Sequence, residues 1–164
     1  MGSGCTKENQ NIYFRARKRA AMYNDKLSSR EGASELLGIS PSTLADYELG
    51  ITKFVPVDKV VLMADLYNCP ELRAAYCKNE CPIGKHIQLA TTIDSLEMIA
   101  VRLLKCFGND EIETLKSRLI DIVVDGDIEE DNEDLKDIIK QLDKITLVVS
   151  ELKMAVEKRI GESR

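Results

Sequence analysis

Residues 28–50 read SSREGASELLGISPSTLADYELG, and this stretch decides the fold. Leu27-Ser28-Ser29-Arg30-Glu31 supplies a hydroxyl cap ahead of Ala33, Leu36 and Leu37, which fall on one helical face. Gly38 ends that helix in the left-handed conformation glycine adopts freely, and Ile39 turns into the core. Ser40-Pro41 then pairs an N-cap hydroxyl with proline at the first helical position. The helix from Pro41 carries Leu44 and Tyr47 inward at spacing three and stops at Gly50. Two helices joined by a short glycine-containing turn form the geometry that lays one exposed helix in a DNA major groove.

Working outward, residues 1–10 are polar and small and read as a flexible arm, and a helix is expected from Ile12 to about Tyr23. Pro56 opens a fourth helix carrying Val60, Val61, Met63, Ala64 and Leu66, which Cys69-Pro70 closes, and Glu71 to Cys77 makes a short fifth. Residues 11–78 thus form a five-helix domain, and 79–85, with Pro82 and Gly84, a linker. Residues 86–164 read as three more helices. The first runs from about His86 to Phe107 and the second from about Asp110 to Val124. The third is long and sets Ile138, Leu142, Ile145, Val149, Leu152 and Val156 in a heptad seam that calls for a partner helix, while Ile139, Val148 and Ile160 widen the stripe so that part of it packs on the two preceding helices. The fold class is all-α, with a C-terminal three-helix domain that dimerises.

Charge is segregated along the chain. The first 85 residues carry 12 Lys and Arg against 10 Asp and Glu, whereas residues 86–164 carry 11 against 18, for −5 overall. Lys7, Arg15, Arg17, Lys18, Arg19, Lys26 and Arg30 face only Glu8 and Asp25 within residues 7–30, so an anionic partner is expected there. Five cysteines without a secretory leader point to a reducing, cytoplasmic setting, and charged residues interrupt every apolar run before membrane-spanning length. The opening Met1-Gly2-Ser3-Gly4-Cys5-Thr6 also fits a myristoylation pattern, of a kind small N-terminal residues produce by chance.

From Ser29 to Gly50, above all in Leu37-Gly38-Ile39-Ser40 and Tyr47-Glu48-Leu49-Gly50, the chain closely resembles the Xre-type, lambda-repressor-like helix-turn-helix family. The resemblance covers about residues 11–70 and implies a five-helix DNA-binding fold. It implies that Arg30, Ser40 and Thr43 touch phosphates, that Pro41, Ser42, Ala45 and Asp46 face base edges, and that Glu48 pairs with Arg15, Arg17 or Arg19. One extra residue between the first two helices leaves the register of that pair open. Recognition helices of the family often carry Gln, Asn, Lys or Arg at the reading positions, and here none is present. Affinity is therefore expected to lean on phosphate contacts from Arg15, Arg17, Lys18, Arg19, Arg30 and Lys53, with strong salt dependence.

Other chemistry has less to stand on. Cys69, Cys77, Cys81 and His86 are the candidate zinc ligands of a metal- or redox-responsive regulator, although their intervals follow no familiar zinc module. Asp121 to Asn132 is spaced partly like a calcium-binding EF-hand loop, but Val123 and Asn132 stand where oxygen ligands are needed, and it reads better as an acidic turn. With one histidine, no nucleophile elbow and no phosphate-cradling glycine loop, neither an enzyme nor a cofactor is expected. The functional expectation is a transcriptional regulator, a repressor acting as a homodimer on a palindromic duplex operator. The rival is a protein-interaction adaptor built on a helix-turn-helix scaffold.

Overall fold

A computed structural model describes residues 11–125 and 133–163. The arm at 1–10 and the acidic turn at 126–132 lie outside the described residues. Those residues form eight α-helices and no strand, and no helix is long and apolar enough to cross a membrane. The helices are α1 (Ile12–Ala20), α2 (Arg30–Leu37), α3 (Pro41–Leu49), α4 (Val57–Leu66), α5 (Glu71–Asn79), α6 (Leu96–Cys106), α7 (Asn109–Asp125) and α8 (Glu133–Glu162), with short 3-10 turns at Asp25–Ser28 and Gly84–His86.

The local signals act as their chemistry dictates. Asn11 caps α1, its side-chain oxygen accepting from the Tyr13 and Phe14 amides. Ser29 accepts from Gly32 N at 3.1 Å and Ser40 from Thr43 N at 3.0 Å. Gly38 and Gly50 close α2 and α3 in the left-handed region, at φ 61° and 69°. α1 to α5 surround one core in which Leu27, Ala33, Leu44, Val60 and Met63 are almost fully buried. Between the first two helices the chain forms the 3-10 turn at Asp25–Ser28, which packs on both α1 and α2.

α6 begins ten residues later than the apolar spacing suggests. From Ile87 to Ser95 the chain runs as a non-helical strap, two of whose amides bond to α8: Ala90 N donates to Ser150 Oγ at 3.0 Å and Asp94 N to Glu151 Oε1 at 2.8 Å. Once those donors are met across the fold, a helix there would gain little, and Ser95 caps the helix that does form. The linker expected at 79–85 is also not a free tether, since the Gly84 turn presses its backbone on the Cys77 carbonyl of α5. Along α8 the expected seam is used in part. Ile138 is buried, but Leu142 and Val156 remain 45% and 46% exposed, and α6 packs one position off the seam, on Val148 and Ala155, through Ile99.

The far end of α8 returns to the first half. Asn68 Nδ2 donates to the Lys158 carbonyl at 3.0 Å, and Arg73 pairs with Glu157. A Cβ on Gly161 would collide with the Asn68 side chain, which itself sits on a residue at φ 46°. Lys158 Nζ lies 3.0 Å from Glu71 Oε1. Burial works against ionising Glu71, yet a hydrogen bond from its own backbone and the Lys158 ammonium together hold its carboxyl below the usual range. A carboxyl lowered in this way contributes stability above its unfolded-state pKa and loses it as pH falls through the folded one. Lys158→Met is therefore expected to cost about 1 kcal/mol near pH 7. Urea titrations across pH should show the gap from the native protein closing as the carboxylates protonate.

Candidate nucleic-acid interface

Glu48 is a glutamate on the inner face of α3 with 0% exposure, a placement that demands a compensating cation. Arg17, reaching from α1 and only 2% exposed, meets it through two parallel hydrogen bonds, Nε to Oε1 at 2.5 Å and Nη2 to Oε2 at 2.9 Å. The remaining guanidinium nitrogen donates to the carbonyls of Leu27 at 2.9 Å and Ser28 at 3.2 Å. One side chain thus fixes α1, the 3-10 turn and α3 at once. Arg30, at the start of α2, adds Nε to Glu48 Oε2 at 2.8 Å and stays 29% exposed. Of the three arginines open as partners for Glu48, Arg17 is the one used.

Arg17 is consequently withdrawn from the set of expected phosphate contacts. Its guanidinium is buried and its donors are committed to Glu48 and two carbonyls, so it positions the helices and has no route to a duplex. Arg15, Lys18 and Lys53 lie exposed at the surface and Arg19 is 52% exposed. Lys18 donates to the Ser28 carbonyl at 2.9 Å, beside the turn that leads into α2. Arg19 lies 3.7 Å from Glu71, and Lys53 stacks over the Phe54 ring at 5.4 Å. Exposed pairs of this kind are weak and exchange readily for another anion.

On α3, Pro41 and Ser42 are exposed and Thr43, Ala45 and Asp46 partly so, while Leu44, Tyr47 and Glu48 face inward. The hydroxyls of Ser40, Ser42 and Thr43 cluster at the helix N-terminus, with both Ser42 Oγ and Thr43 Oγ1 2.8 Å from Ser40 Oγ. Such donors, beside the positive end of the helix dipole, suit a phosphate oxygen. The outward face offers no bidentate group for a base edge.

Two supporting residues escaped the sequence reasoning. Asn11 Nδ2 donates to the Tyr47 carbonyl at 3.0 Å, tying the start of α1 to the last turn of α3. The N-cap pattern before Ile12 was a signal for its capping oxygen and gave none for this second bond. Lys59 Nζ lies 3.5 Å from the Leu37 carbonyl, at the end of α2.

The cysteine cluster is not assembled. No three His, Cys, Asp or Glu side chains among the described residues are placed to hold a metal. Cys69 is in the first core, where burial and then Glu71 push its thiol up to about 11, whereas His86 is exposed on the Gly84 turn. Burial thus works against Cys69 serving as a thiolate ligand. In comparisons with known proteins, no protein-family model, curated protein or solved structure matches the chain.

Proposed function

We propose that the protein is a sequence-specific, double-stranded-DNA-binding transcriptional regulator of the Xre type, acting as a repressor by occupying its operator. The observation that carries this proposal is the α2–Gly38–α3 unit, whose outer helix is held by the buried Arg17–Glu48 pair with its N-terminal hydroxyls toward solvent. Arg15, Lys18, Arg19, Arg30 and Lys53 supply phosphate contacts, Ser40 and Thr43 fix the register, and Pro41, Ser42, Ala45 and Asp46 meet the bases with little polar readout. DNA shape then contributes to specificity at positions the protein does not touch.

A homodimer joined through the C-terminal helices is part of the proposal. One helix-turn-helix covers a half-site, and a two-fold pair covers a palindrome. The five-helix first half would be the reading domain and the three-helix second half the dimerising one. Ile120, Val123, Val124, Ile139 and Leu142 of α7 and α8 remain between 45% and 80% exposed, a surface a second copy would cover.

Charge reversal tests the proposal. Arg15→Glu, Arg19→Glu and Lys53→Glu combined should weaken binding to duplex DNA roughly a hundredfold, and the native complex should weaken by roughly a thousandfold between about 50 and 200 mM salt. Fluorescence anisotropy reads both. Duplex binding that ignores salt and the three reversals would contradict the proposal. The adaptor alternative has one observation in its favour: exposed Ile51, Phe54 and Val57 follow α3, which carries no basic residue and ends on exposed Leu49. It predicts that the same triple variant keeps a protein partner and that the native chain has no duplex affinity to lose.

A further inference from the structure

Between α6, α7 and α8, away from the helix-turn-helix, lies a cleft of about 740 Å³. Its volume falls in the range of sites that take small molecules, and clefts between bundle helices are a common place for them. Residues 86–164 carry 11 basic side chains against 18 acidic ones, yet five of the basic ones, Arg102, Lys105, Arg118, Lys140 and Lys144, line this one cleft. Four acidic residues, Asp110, Glu111, Asp137 and Glu151, line it as well, so the lining is close to charge-balanced inside a strongly negative half.

The pairing within the cleft is uneven. Arg102 is held by Glu151 at 2.8 Å and by Asp94 at 3.0 Å, and Asp137 takes Lys140 at 3.0 Å and Arg118 at 3.3 Å. Glu151 and Asp137 are therefore spoken for, while Asp110 and Glu111, at the start of α7, have no ion pair among the described residues. Lys105 on α6 and Lys144 on α8 are exposed, and their ammonium groups have no ion pair or hydrogen bond to any of the described residues. Ile145, Leu147 and Val148 supply apolar lining beside them, with Thr114 and Gln141 among the polar groups.

We propose that this cleft binds a small organic anion, a carboxylate- or phosphate-headed molecule with an apolar body. The two lysines take the head group, and the aliphatic side chains of α8 take the body. Two unpaired ammonium groups at one concave site focus an attractive field on an anion that the surrounding acidic surface would otherwise repel. A neutral apolar molecule would gain the aliphatic contacts without that attraction. The proposal concerns the second half of the chain only and stands apart from DNA binding.

The test uses the full-length protein with two fluorescent probes of similar shape, anionic anilinonaphthalene sulfonate and neutral phenylnaphthylamine. Lys105→Glu with Lys144→Glu should weaken the sulfonate probe at least tenfold and leave the neutral probe unchanged, and Lys105→Gln with Lys144→Gln should give a smaller loss in the same direction. Unchanged circular dichroism and melting confirm that the exposed substitutions leave the fold intact. Addition of inorganic phosphate and of benzoate as competitors shows which head group the site prefers, and displacement by either supports the proposal. Equal loss of both probes, no loss of either, or no sulfonate binding to the native protein would overturn it.

Discussion

Alanine at Glu48 should destabilise the protein by about 3–5 kcal/mol, the range for removing one partner of a buried ion pair. The Arg17 guanidinium, 2% exposed, would keep its place in the core but lose both charge-assisted bonds to the carboxylate. Arg30 would lose its hold on α3 as well. A domain of this size is stable by only about 5–15 kcal/mol, so the urea midpoint should fall far enough to see without fitting. Because the pair spans α1 and α3, duplex binding should fall with the fold. The double replacement Arg17→Met with Glu48→Leu is expected to recover part of the loss, since it removes the unpaired charge together with the pair but leaves the Leu27 and Ser28 carbonyls without their Arg17 donor. A cost below about 1 kcal/mol for Glu48→Ala would mean that the pair does not hold α3 in place.

Gly84→Ala is the second large effect, and its cause is space. Any Cβ there would fall inside the contact radius of the Cys77 backbone carbonyl, and neither segment is a flexible side chain that could swing away. The cost should be about 3 kcal/mol, the upper part of the usual range for overpacking. The strap after Gly84 is anchored to α8 through the Ala90 and Asp94 amides, so hydrogen exchange at those two positions should speed up as the turn is displaced. Gly38→Ala is the informative contrast. Nothing lies within 4 Å of a Cβ at Gly38, but its φ is 61°, so the penalty there is conformational strain of about 1 kcal/mol. Thermal unfolding of the two variants should rank them in that order.

The first half was legible because its signals are local. Ser29, Gly38, Ser40, Pro41 and Gly50 each act within one turn of themselves, and the structure places caps and left-handed closures at those residues. What could not be read was which arginine meets Glu48. Arg15, Arg17 and Arg19 are two residues apart, and only the packing of α1, which buries Arg17 and leaves the other two exposed, selects between them. Counting Arg17 as a phosphate contact followed from charge density in the sequence, which does not distinguish a buried cation from a surface one. The second half was less legible for the opposite reason. The strap at 87–95 carries apolar residues at near-helical spacing, but its amides are claimed by Ser150 and Glu151, some sixty residues away. Likewise Asn68, Gly161 and Lys158 join the halves through bonds that no periodicity announces. The convergence of Lys105 and Lys144 on one cleft depends on the packing of α6 against α8 and is invisible as composition.

The proposed DNA-binding function rests on α3 being presented to a major groove by a two-fold pair of such domains. Selection of bound duplexes from a random-sequence library by the full-length protein tests that directly. Enrichment of a two-fold-symmetric site is expected, with half-site centres about 10 base pairs, or a multiple of that, apart. The enriched positions should weaken when Ser42 and Asp46 are replaced by alanine. Recovery of unenriched sequences, or of nothing above background, would contradict it.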